Sequence, residues 1–122
     1  MRTTHTFAAL VSSIHASNVI VYVEPSYSLP GDMAGRILLQ TTAGQQRYMR
    51  IQVRATLTND HLISVIGHEL RHAVEVAADA SVVDDAGLRA LYKRIGHASN
   101  GTRGYDTDAA QDAGRKVREE IG

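Results

Sequence analysis

The sequence predicts a single α+β domain over residues 1–122, a small antiparallel three-stranded sheet packed with about four helices, and three observations carry that reading. A chain of 122 residues buries about two-thirds of its unfolded surface, which suits one core. Its apolar residues recur at three- and four-residue steps in some stretches and at two-residue steps in others. Both prolines, Pro25 and Pro30, fall in one short irregular stretch and leave the remainder free for regular elements.

Taken in order, Phe7, Leu10, Val11 and Ile14 form one face of a first helix from about Thr4 to Ala16, ended near Asn18. Val19 to Val23 is a short β-branched run bounded by Glu24 and Pro25 and reads as a buried strand. Residues 25–35 form an irregular loop, a connector or a lid. Two β-rich runs, Arg36 to Thr42 and Arg47 to Arg54, flank Gly44 and predict a hairpin. In the second, Met49, Ile51 and Val53 alternate with Arg50, Gln52 and Arg54, giving one buried and one wet face. Thr58, Asn59 and Asp60 offer a helix start, and the longest helix runs from Leu62 to Ala78. Asp84 or Asp85 caps another through Leu88, Leu91 and Ile95, ended by Gly96. Residues 97–104 read as a loop. Thr107 caps a last helix to Glu120, with Ala109, Ala110, Ala113 and Val117 inward.

Composition excludes several functions. Thirteen Lys and Arg balance 13 Asp and Glu, so no charge excess points to nucleic acid or an anionic membrane. Five Tyr, one Phe and no Trp are too few for base-stacking platforms. With no Cys there is no thiolate ligand or cysteine nucleophile, so any metal must be held by His, Asp or Glu. The run Phe7 to Val11 is far short of the roughly 20 apolar residues of a membrane span and thin for a signal peptide. Compartment and oligomeric state stay open. No glycine-rich phosphate motif supports a nucleotide cofactor.

The informative segment is Ile66-Gly-His-Glu-Leu-Arg-His72, in which His68, Glu69 and His72 make an H-E-x-x-H pattern inside the long helix. Histidines at i and i+4 project from one face a turn apart, so their rings can converge on one Zn²⁺ while the intervening Glu reaches a water. At about 100° per residue, with His68 at zero, His72 falls near roughly 40°, whereas Ile63, Ile66, Leu70, Ala73 and Ala77 cluster at roughly 140–220°. The histidines therefore face away from the core stripe, toward a cleft. His5, His15 and His61 fall on helix surfaces, where solvation is the default.

Through HELRH the chain resembles the zincin metallopeptidases, and more narrowly the gluzincins in a small single-domain form. The resemblance covers five residues tightly and the rest loosely. It implies a zinc peptidase acting on peptides or proteins, with His68 and His72 as ligands and an acid on a later helix as the third. The segment matching the family's E-x-x-A is Asp106-Thr-Asp-Ala109, which makes Asp106 the first choice and Asp108 the second. Aspartate is one methylene shorter than the usual glutamate, so the last helix must approach more closely. Position 110 is Ala, where some gluzincins carry a supporting acid, so a partner for a ligand histidine must come from elsewhere. Glu75, near −20° on the histidine stripe by roughly 100° steps, is a third alternative as ligand, but it would have to reach back along the helix, and the supporting role or a solvated one suits it better. A metzincin pattern needs Gly at 75 and a ligand at 78, where this chain has Glu and Ala.

On this reading zinc lowers the pKa of a water at its fourth position, and Glu69 acts as general base and then proton donor to the leaving amine. Tyr105, His97 and Tyr92, in that order, are candidate donors to the oxyanion. Substrate lies extended against a sheet edge, with Arg47 to Arg54 the expected edge strand. Two other readings stand beside this one: an inert zinc-binding or protein-interaction module, and a metal-free domain in which HELRH arises by chance.

Overall fold

A computed structural model describes residues 4–98 and 105–121, with all their side chains except those of Gln40, His97, Ala98, Tyr105 and Asp106. The chain order is α1 (His5–His15), β1 (Val19–Ser26), β2 (Gly35–Ala43), β3 (Gln46–Arg54), α2 (Asn59–Ala77), α3 (Asp85–Ile95), β4 (His97–Ala98), β5 (Tyr105–Asp106) and α4 (Asp108–Ile121). The α+β class and the helices fall where the periodicity puts them.

Sheet order departs from expectation. The three-stranded sheet is mixed, in the order β1-β3-β2: β3 pairs parallel with β1 and antiparallel with β2. A tight turn at Gly44, whose φ of 61° suits glycine, returns β3 alongside β2. Residues 27–34, with Gly31 at φ 57°, instead carry the chain from β1 past the place that β3 fills. The strand from Arg47 to Arg54 is therefore central, and the expected edge role passes to β1 and β2. Pro25, which has no N–H to give, lies in the edge strand β1. β4 and β5 form a separate antiparallel pair, inside and just after what the sequence reads as a loop.

The inner sheet face presents Val19, Ile37, Met49, Ile51 and Val53, all buried, to α2. Helices α1 and α4 cover the opposite side of α2, which is consequently enclosed for most of its length. Glycines permit the closest helix approach. A Cβ on Gly67 would lie 2.9 Å from Val117, and one on Gly114 would lie 3.2 Å from the Ser64 carbonyl and 3.3 Å from the His68 Cβ. Ser64 Oγ donates to the Gly114 carbonyl at 2.8 Å across this crossing. Ala110, Ala113 and Val117 face inward as expected, while Ala109 is exposed.

Caps set the ends. Thr4 Oγ1 accepts from Phe7 N at 2.9 Å, and the Glu120 carboxylate accepts from the Thr6 N–H and hydroxyl, tying α4 to the positive end of α1. Asp84 accepts from Gly87 N at 2.8 Å to start α3, and Thr107 accepts from Ala110 N at 3.1 Å to start α4. The end of α2 is held by Arg47 of β3, buried, which donates to the carbonyls of Val76, Ala77, Asp79 and Val82 and to Asn18 Oδ1. Among the described residues no helix is long and apolar enough to cross a membrane.

Candidate metal and peptide site

His68, Glu69 and His72 lie on consecutive turns of α2, held from both sides by the sheet and α4. The two imidazoles meet edge to face with centroids 5.0 Å apart. His68 is half-buried, and His72 is completely enclosed, so it does not face the open cleft that the helical stripe leads one to expect. Tyr92 of α3 packs its ring against His72 at 5.2 Å, nearly perpendicular.

The two nitrogens of His72 have different surroundings. Nδ1 lies 2.8 Å from Glu75 Oε1, whereas Nε2 is buried with no hydrogen-bond partner among the described residues. An ionised carboxylate only accepts, so Nδ1 carries the proton in this bond, and in the neutral ring Nε2 then presents a lone pair. Leaving such an atom buried and unmatched costs about 1–3 kcal/mol, so it calls for an explanation. Among the described residues the one other buried side-chain nitrogen or oxygen without a partner is Arg71 Nε.

Glu75 is buried and fully engaged. Oε1 accepts from His72 and from the Tyr92 hydroxyl at 3.1 Å, and Oε2 accepts from the Thr107 hydroxyl at 2.5 Å. Burial pushes its carboxyl toward higher pKa, but the hydrogen bonds from His72, Thr107 and Tyr92 together outweigh it. The net direction is below the ordinary carboxylate value. Of the two roles open to Glu75 in the sequence, partner to His72 is the one the structure gives it.

Glu69, also buried, lines a cleft of about 290 Å³. The cleft follows the outer edge of β2 at Gly35, Arg36 and Ile37 and is closed by Leu88 and Arg89 of α3. Gly35 brings that edge close: a Cβ there would sit 2.7 Å from Val65 Cγ1 and 3.4 Å from Glu69 Cγ.

The other expected site residues divide. Tyr92 is turned inward, its hydroxyl donating to Glu75 and to the His72 carbonyl, so it supports the histidine and is withdrawn as an oxyanion donor. The backbones of Tyr105 and Asp106 form β5, with Asp106 opposite His97 of β4, but the side chains of all three lie outside the described set. Asp108 opens α4 and is exposed. Among the described residues no three His, Asp or Glu side chains gather as a metal-holding group. Sequence reasoning places Thr107 as a cap but misses its bond to Glu75. It also misses Gly35, whose signal is a glycine opening a β-rich run. No protein-family model, curated protein or solved structure matches this chain.

Proposed function

We propose that this chain is a zinc-dependent peptidase of minimal, gluzincin-like form, in which His68, His72 and Asp106 hold Zn²⁺ and Glu69 is the general base. The observation that carries the reading is His72: its ring is fixed through Nδ1 by Glu75, and its buried Nε2 has no hydrogen-bond partner among the described residues. That is the state of a histidine prepared as a metal ligand. Glu75 is occupied by three donors, which favours Asp106 over Glu75 as the third ligand. Thr107 is bonded to Glu75, which brings the backbone next to Asp106 up to the same cluster.

When bound, zinc would supply Lewis acidity, polarising a carbonyl and lowering the pKa of water toward neutrality. The chain's own groups do the rest. An extended peptide adds to the free edge of β2, where backbone pairing accepts many sequences and sets the scissile bond beside Glu69. Glu69 takes a proton from the attacking water and passes it to the leaving amine nitrogen. Tyr105 retains the proposed role of donor to the developing oxyanion. An inert zinc site is the competing reading, favoured by the complete enclosure of His72.

Glu69→Gln keeps the side chain's shape and removes its basicity. Screened against a peptide library, it is expected to lose about 100-fold or more of the wild-type rate while retaining zinc. Wild-type hydrolysis by a zinc-loaded Glu69→Gln protein would overturn the base assignment. A zinc-loaded wild type that cleaves nothing favours the inert site.

A further inference from the structure

We propose that Thr107 is a positioning residue for this site, its hydroxyl coupling the orientation of the His72 ring, through Glu75, to the N-terminus of α4. The inference rests on the metal reading above. Glu75 Oε1 is shared by His72 and Tyr92, leaving Oε2 for Thr107, whose Oγ1 donates to it at 2.5 Å and accepts from Ala110 N at 3.1 Å. A hydroxyl performs both roles with one proton and one lone pair. Thr107 is buried, so water is poorly placed to substitute.

The bond has a geometric consequence. Ser64 Oγ holds the Gly114 carbonyl at 2.8 Å, so α4 is attached to α2 at two points, residues 64 and 75, and both motif histidines lie between them. With the Thr107 bond gone, α4 keeps its apolar contacts through Ala110, Ala113 and Val117, the Ser64 attachment and the Glu120 tie to α1, while its N-terminal end gains freedom to pivot about them. The pivot shifts residue 106 and frees the Glu75 carboxylate to turn, loosening the His72 ring. The effect falls on metal affinity and ligand geometry, although Thr107 itself touches no metal.

The test measures zinc affinity of the full chain by competition with a chromophoric chelator, together with the visible absorption of the Co²⁺-loaded protein. Thr107→Val is expected to weaken zinc binding by about 10–100-fold, as loss of outer-shell partners does elsewhere, and to alter the cobalt bands. Thr107→Ser, which keeps the hydroxyl, restores both. Asp84→Ala removes a comparable cap from α3 and leaves affinity unchanged, separating the coupling from general loss of stability. Thr107→Ala, which adds no bulk, gives the same reading if the valine variant does not fold. Wild-type affinity and an unchanged cobalt spectrum in the Thr107 variants would overturn the proposal, as would an equal loss in Asp84→Ala. A wild type that binds neither metal overturns the metal reading itself, a distinguishable result.

Discussion

At the scale of single residues, the account turns on His72 and Glu75. The pair His68 and His72 is legible in sequence because its spacing is local, one turn of one helix. The position of Glu75 on the same stripe is legible for the same reason. Its partners are not: Tyr92 and Thr107 come from other helices, 17 and 32 residues further along, and reach it only because of how those helices pack. Glu75→Ala should leave the buried His72 N–H without its acceptor and remove the carboxylate that the Tyr92 and Thr107 hydroxyls donate to. We expect a loss of at least about 2 kcal/mol in the metal-free protein, read by urea denaturation. A loss within about 0.5 kcal/mol, the range of an ordinary surface substitution, would show that the network is not holding the helices together.

Among the elements, α2 matters most, since it carries the motif and is clamped at its far end. Arg47 shares its parity with Met49 and Ile51, so alternation puts it on the core face, where a charge looks out of place. It fits because the last carbonyls of α2 have no helical partners, and the guanidinium supplies donors to several at once. Asp79 adds a second tie just beyond the helix. It accepts from the Ser81 N–H and hydroxyl and from Arg94 of α3, and these bonds lower its pKa to about 2. Because the folded value lies below that of the unfolded chain, this stabilisation is present above about pH 4 and is lost as pH falls through about 2. The difference in Tm between wild type and Asp79→Asn should therefore be widest above about pH 5 and close toward pH 2. A difference that does not change across that window would contradict the assignment.

For the whole molecule, the division into helices and strands is readable from periodicity, and the order of strands is not. Alternation tells which face of Arg47 to Arg54 is buried, but neither which strand lies beside it nor in which direction. That order leaves β2, with Gly35 against Glu69, as the edge that lines the cleft and so sets the proposed path of a peptide. The identity of the third ligand depends on how α4 approaches α2, a long-range property that local spacing does not carry. The central claim is that these elements assemble a zinc site. The most direct test is the zinc content of protein purified without a metal-affinity tag, beside His72→Ala and Asp106→Ala. The account predicts about one zinc per chain in the wild type and its loss in both variants. No zinc in the wild type under zinc-replete conditions would contradict it.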